Sequence, residues 1–316
     1  MKVGLIDVDG HNFPNLPLMK LSAWHKRQGD QVEWYSYWSG RYDRVYMSKV
    51  FSFSPDYEYP VNADEVIRGG SGYSIELVDG MEVYHKENDH CLPHEIEHIY
   101  PDYSIYNITD TSHGFMTRGC PRGCDFCIVK DKEGRNAHTV ADLSEFWDGQ
   151  KNIVLYDPNP IAVPEWKSNL QQLIESNALV DFNQGVDIRM MTEEKALMLK
   201  QIRLKMIHFA WDRIQDEKQV LTNLELFTSV TGWDHHKIQV YVLTNFDTDP
   251  QQDLERIYKL RDMDVAPYVM IYDKEHLPKG HILRRMQRWA NNKFIFYSCG
   301  RFEDYDRRRE VVVQYD

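Results

Sequence analysis

The sequence predicts an α/β protein: an open, partial (β/α)6 barrel preceded by a small, trimmed Rossmann-like parallel α/β domain. Three observations predict it. Short apolar runs of strand length alternate with stretches of helical periodicity along most of the chain. Glycine, proline and Asp/Asn-rich turns separate them, as strand–helix connections require. The 316 residues, 42% hydrophobic and 13% aromatic, are enough to core one large or two modest domains.

Residues 2–8 read as a buried strand through Val3, Leu5, Ile6 and Val8. A polar turn follows, Asp9-Gly10-His11-Asn12, in which His11 and Asn12 are either solvated turn residues or ligand contacts. Pro17 opens a helix through Leu18, Leu21, Ala23 and Trp24 that ends near Gly29. Further strands are expected at 31–35, 44–50 and 63–68. Pro55 and Pro60 argue against a helix between the last two. The run Gly69-Gly70-Ser71-Gly72 is either a surface for close ligand approach or a plain turn. Residues 1–77 are read as the first domain and 78–111 as an acidic, histidine-rich linker. In it, His94 and His98 would share a helical face, with solvated histidines the simpler account than a metal site.

Residues 112–299 carry the barrel and 300–316 an extension holding Arg307, Arg308 and Arg309 and a strand-like 310–315. Barrel strands are expected at 115–118, 152–156, 179–183, 205–210, 238–243 and 267–271. Helices are expected at 140–147, from Pro164, after the cap Thr192, and at 217–227, 250–260 and 281–290. Parallel strands of this kind bring their carboxyl ends to one mouth, where such folds place their chemistry. Polar residues gather there: Asp157 and Asn159; Gln184, Asp187 and Arg189; Trp211 and Asp212; Asn245. Any single one of them also fits a helix cap or turn former.

The stretch with the most specific chemistry is 114–134, GFMTRGCPRGCDFCIVKDKEG, with Cys120-x-x-x-Cys124-x-x-Cys127. Three thiolates on one loop suit an iron–sulfur cluster or another thiophilic metal. Gly119 and Gly123 let the backbone turn tightly, and Phe126 offers an aromatic wall. A closed zinc site needs four ligands, and only His113 and His138 stand near enough in sequence to be a fourth. Cys91 and Cys299 are isolated and read as buried small side chains, so one cluster is expected.

This spacing, with an aromatic residue before the last cysteine, resembles the signature of the radical S-adenosylmethionine (radical SAM) enzymes. TRGCPRGCDFC, preceded by YPDYSIY at 100–106, looks most like the branch with an N-terminal cobalamin-binding-type domain. The resemblance covers about 100 to 273 well and the first seventy residues more loosely. It implies a [4Fe-4S] cluster on Cys120, Cys124 and Cys127, with S-adenosylmethionine (SAM) chelating the fourth iron. It implies reductive cleavage of SAM to a 5′-deoxyadenosyl radical that abstracts hydrogen from a substrate. A reductant such as flavodoxin or ferredoxin is implied as partner. By the same resemblance Phe126 lies against the adenine, and Asp157 and Asn159 stand where the family has a glycine-rich stretch for the SAM amino group. Gln184, Asp187 and Arg189 fall on the SAM-contacting strand end, Asp187 or Arg189 reaching the ribose or carboxylate. Trp211 and Asn245 fall near adenosine or substrate. No Asp-x-His-x-x-Gly motif for an axial cobalt ligand is present, so the first domain reads as a degenerate one that shapes the substrate entrance. A cobalamin-dependent methyltransferase and a non-catalytic iron–sulfur sensor or electron carrier are the alternatives.

The net charge of −12 makes the chain a poor general binder of nucleic acid backbones. Five cysteines, no signal-like N-terminus and no apolar run of membrane-spanning length predict a cytoplasmic protein without a membrane partner.

Overall fold

The computed structural model describes residues 1–10, 13–78 and 81–305. His11, Asn12, the Arg307–Arg309 run and the expected strand at 310–315 lie outside the described residues. The chain divides into two compact units, Met1–Val180 and Asp181–Asp316.

The first unit opens with β1 (Lys2–Asp7), α1 (Leu16–Arg27), β2 (Gln31–Trp34), β3 (Tyr42–Ser48) and β4 (Ala63–Gly69). These strands form an all-parallel sheet in the order β2-β1-β3-β4. Both faces of β1 are covered, which is why it reads as a continuous apolar run. Val3 and Leu5 pack with Leu18 and Leu21 of α1, while Ile6 packs with Tyr42, Val45 and Met47. Asn15 caps α1 by accepting from the Leu18 N–H at 3.2 Å, and Pro17 sits in its first turn, where no amide partner is needed. No helix lies between β3 and β4, as the two prolines required. Asp9 holds that crossover instead, its carboxylate accepting from the amides of Val50 and Phe51. The glycine run is pinned against the end of β3. Gly69 and Gly72 pair with the Lys49 backbone, and Gly70 has φ +98°, with the Lys49 carbonyl where a Cβ would stand.

The chain continues through α2 (Ser71–Ser74) and an antiparallel hairpin of β5 (Ile75–Val78) and β6 (Met81–Tyr84) to α3 (His94–Glu97). The segment expected to be a linker is folded onto the first core. Ile96 is buried beside Val3, Leu5 and Leu18, and the buried Tyr103 hydroxyl donates to the Phe146 carbonyl at 2.6 Å. His94 and His98 do lie side by side, with ring centroids 4.3 Å apart and planes tilted by 38°, and His98 Nδ1 meets the Glu145 carboxylate at 2.7 Å. Cys91 is exposed rather than buried; Cys299 is buried as expected.

Next come β7 (Thr111–Gly114), β8 (Thr117–Arg118), α4 (Val129–Lys132), β9 (His138–Thr139), β10 (Asn152–Leu155), α5 (Trp166–Ser176) and β11 (Leu179–Phe182). The strand that pairs in parallel with β10 is β7, ahead of the predicted 115–118, of which only Thr117–Arg118 is strand, as β8. The signal was misplaced because β7, Thr-Ser-His-Gly, is polar by composition yet buried along most of its length. The helix predicted at 140–147 is a single 3-10 turn, Leu143–Glu145. Asp142 and Glu145 form a capping box around that turn, and Asp148-Gly149 follow too soon for a second one. The opening residue of β11, Leu179, donates its amide to the Lys151 carbonyl at 2.8 Å, completing the order β11-β10-β7.

The second unit contains α6 (Glu193–Gln201), β12 (Ile207–Trp211), α7 (Glu217–Thr231), β13 (Ile238–Thr244), α8 (Pro250–Asp262), β14 (Ala266–Ile271), α9 (Ile282–Asn291) and α10 (Lys293–Ser298). β12, β13 and β14 form a parallel three-stranded sheet, with β12 beginning two residues later than predicted. Alternate residues of β12 (Ile207, Phe209 and Trp211) are buried, with Phe209 edge-on to Phe227 of α7 at 5.0 Å. The opposite parity carries His208 and, on β13, Tyr241, whose rings stack 5.3 Å apart. The architecture is thus α/β with parallel sheets, and the strands close no barrel among the described residues.

Candidate functional site

The cysteine loop starts where β8 ends. β8 and β9 make a two-rung antiparallel ribbon, Thr117 opposite Thr139 and Arg118 opposite His138. The chain between them closes on itself, because Cys120 N–H donates to the Gly134 carbonyl at 3.1 Å. Glu133 fastens the base, one oxygen accepting from Arg118 Nη1 at 2.8 Å and the other from the Gly119 N–H at 3.0 Å. The Arg118 guanidinium also lies over the Phe115 ring, 3.4 Å from its centroid. Lys132 of α4 donates to the Ser71 hydroxyl, which ties the loop to the glycine run of the N-terminal sheet.

Gly119 is the pivot. Its φ is +76°, and the Asn136 carbonyl oxygen occupies the space a Cβ would fill. Gly119→Ala is expected to cost about 1–2 kcal/mol for the left-handed backbone, with the displacement of Asn136 added. Urea denaturation checks this; an unchanged midpoint would show that the loop has no need of glycine there.

Within the loop, Cys120, Cys124, Phe126 and Cys127 are all half-buried. Cys127 N–H donates to the Cys124 carbonyl at 3.1 Å, so the last two cysteines share one tight turn. Asn159, 1% exposed, brings its side-chain amide to 3.8 Å from the Cys120 sulfur. Such N–H contacts to a sulfur tune a metal bound there. The two histidines weighed as fourth ligands are committed elsewhere at Nδ1: His113 to the Tyr156 hydroxyl at 2.8 Å, and His138 to the Asn136 carbonyl at 2.9 Å. Burial holds His113 neutral, its pKa lowered to about 4.

Asp157 holds the strand before the cysteines. It is 2% exposed, and its carboxylate accepts from Met116 N–H (3.2 Å), Thr117 N–H (2.6 Å) and the Thr117 hydroxyl (2.6 Å). It fixes the strand that leads into the cysteines. Burial pushes its pKa up to about 6, against the pull of those three donors.

The remaining sequence-selected residues belong to the second unit. Asp187 and Arg189 are each other's partners. Arg189 Nε and Nη2 meet the two Asp187 oxygens at 2.7 and 3.3 Å, and Nη1 reaches Asp216 at 2.7 Å. Burial opposes the charge on Arg189, but the two carboxylates outweigh it and raise its pKa. Gln184 is exposed on the turn before them. Trp211 is fully buried, with Nε1 donating to the Arg213 carbonyl at 3.1 Å, so it is a core residue rather than a ligand wall. Asn245 has φ +65° and donates from Nδ2 to the Tyr272 carbonyl at 2.8 Å, joining the loops after β13 and β14. Burial raises the Asp212 carboxyl to about 6, although Arg189 and Arg256 pull it down.

Sequence reasoning missed Thr117, Glu133, Asp216 and Arg256. The first three become relevant only through partners that folding supplies. Arg256 left a signal: it follows Asp253 by one helical turn, and both charges sit among Leu254, Ile257 and Leu260, where an apolar stripe was expected. Comparison with known protein families and with curated proteins finds no match to this chain.

Proposed function

We propose that this protein is a radical SAM enzyme that acts on a hydrogen-bearing substrate. One observation carries the reading: three half-buried thiols on a loop closed at its own base, with an asparagine amide beside the first sulfur. That donor set fits a [4Fe-4S] cluster held by Cys120, Cys124 and Cys127 with one iron open to SAM. When bound and reduced, such a cluster supplies the electron for reductive cleavage of SAM. The chain's own residues shape the loop around it. Asp157 and Glu133 hold the loop's two ends, Asn159 places a donor on the first sulfur, and Phe126 supplies an aromatic surface on the loop. The reading brings with it an open, partial (β/α)6 barrel, an external one-electron reductant such as flavodoxin or ferredoxin, and a cytoplasmic setting.

The test is anaerobic reconstitution with iron and sulfide, reduction, addition of SAM, and mass spectrometry for 5′-deoxyadenosine. Formation by the wild-type protein and its loss in Cys124→Ala is the expected result. A stable reduced cluster that never binds SAM would overturn the reading. One observation favours a second reading, a non-catalytic iron–sulfur sensor or electron carrier. Arg189, the residue chosen for the SAM carboxylate, already has Asp187 and Asp216 as partners. Under the enzyme reading, Arg189→Ala weakens SAM binding while the cluster spectrum stays; under the sensor reading there is no SAM binding to weaken.

A further inference from the structure

The turn between α7 and β13 gathers a different donor set. Asp234, His235 and His236 each offer one ligand atom, and those atoms lie within 4.8 Å of one another. The turn is held from several sides. Gly232 ends α7 in the left-handed conformation, and Trp233 packs edge-on to Phe227 at 5.8 Å. The Asp234 carbonyl accepts from the amides of Lys237 and Ile238, and one Asp234 carboxylate oxygen accepts from the His236 N–H at 2.8 Å. The two imidazole centroids are 4.0 Å apart, and Tyr297 packs on His235 at 4.6 Å.

Asp264 supplies the informative contact. From the turn before β14, its carboxylate meets His235 Nδ1 at 2.6 Å. A carboxylate on one ring nitrogen fixes the tautomer and leaves Nε2 as a directed lone pair, which is the usual arrangement behind a metal-bound histidine. Two imidazoles and one carboxylate suit borderline divalent ions rather than Ca²⁺ or Mg²⁺. Bonds of 2.0–2.1 Å to a tetrahedral ion separate its ligands by about 3.3 Å. Closing from 4.8 Å to that distance is a shift of about 1.5 Å, and His236, the outermost of the three, is exposed.

We infer that Asp234, His235 and His236, with Asp264 behind them, form a binding site for a borderline divalent cation such as Zn²⁺ or Co²⁺. The site stands at the amino-terminal edge of the β12–β14 sheet, the end opposite Trp211, Asp212 and Asn245. In parallel α/β folds that end serves stability more than chemistry. The ion would tie the α7–β13 turn to the α8–β14 turn through His235 and Asp264, with its open positions taken by water or by an anionic group of another molecule.

The experiment is a Co²⁺ titration of the full-length, reduced protein, followed by calorimetry and electronic absorption. Thiolate-to-cobalt charge transfer reports the cysteine loop; bands without it report a nitrogen–oxygen site. The wild-type protein is expected to bind one Co²⁺ more than His236→Ala, with the thiolate band unchanged between them. An unchanged far-UV circular dichroism spectrum and urea midpoint certify that the variant is folded, as the exposure of His236 leads one to expect. Asp264→Asn should keep the site and lose about 10–100-fold in affinity. Equal stoichiometry in wild type and His236→Ala, or cobalt bound only with thiolate character, would overturn the proposal.

Discussion

Asp157→Ala is expected to destabilise the protein by about 3–5 kcal/mol and to release the strand that leads into the cysteines. The substitution orphans two amides and a hydroxyl at a site that is 2% exposed. Each buried unpaired donor costs about 1–3 kcal/mol, and water entering the hole returns part of the sum. Urea denaturation measures the loss, and iron bound per chain after reconstitution measures the effect on the loop. Asp157→Asn isolates the charge. It keeps one acceptor for Thr117 but turns an NH₂ toward the Met116 amide. The pH dependence has a definite sign. Burial raises the folded pKa from 3.8 to about 6, so the folded state binds the proton more tightly. The stability this residue contributes is therefore full below 3.8 and lost as pH rises through about 6. At about 1.4 kcal/mol per pH unit, the change across that window is on the order of 3 kcal/mol. The advantage of wild type over Asp157→Asn should shrink as pH climbs through it. A constant difference would sink the assignment.

Arg256→Met should be comparably damaging to the second unit. Arg256 is 1% exposed and donates to the carbonyls of Trp211 (2.7 Å), Asp212 (3.2 Å) and Leu243 (2.6 Å), as well as to Asp253 (2.6 Å). It thus joins the carboxyl ends of β12 and β13 from helix α8. Removing it leaves the Asp253 carboxylate buried without its countercharge, held by the Thr248 hydroxyl, and takes a donor from three carbonyls, for which about 3–5 kcal/mol is expected. Asp253→Leu added to Arg256→Met should recover part of that, since the stranded charge goes too. A second readout separates a specific clamp from general packing. Asp212, already raised to about 6 by burial, loses a favourable positive charge and should titrate higher still. A cost below about 1 kcal/mol, within the range of an ordinary surface substitution, would show that the clamp is dispensable.

The legible parts of the fold were those with strong periodicity. β1, α1, β10, α8 and β14 lie within a residue or two of where apolar spacing and proline placed them. β7 was lost because its residues, Thr111, Ser112, His113 and Gly114, carry no apolar signature while being buried by their surroundings. The helix expected at 140–147 failed because Leu143 and Phe146 are set by contact with other segments, not by their own helix. In the site, the cysteine loop was legible because its three thiols are close in sequence. Asp157 was found for its position at a strand end, yet its partners, Met116 and Thr117, are set by a forty-residue excursion that no local pattern encodes. Trp211 was chosen for the same reason, and strand parity turned it into the core instead.

The ribbon that carries the cysteines has a consequence for the order in which the molecule assembles. Its own contacts, Cys120 to Gly134 and Arg118 to Glu133, close short stretches of chain. The Asp157 grip on Thr117 spans forty residues and waits for β10 to dock. Short closures cost less entropy and form sooner. The thiols are therefore gathered early, on a hairpin still able to breathe, and are locked only when the sheet beneath them is complete. Gathering of the thiols and final rigidity are two separate events in the assembly of this chain, and Asp157 marks the second.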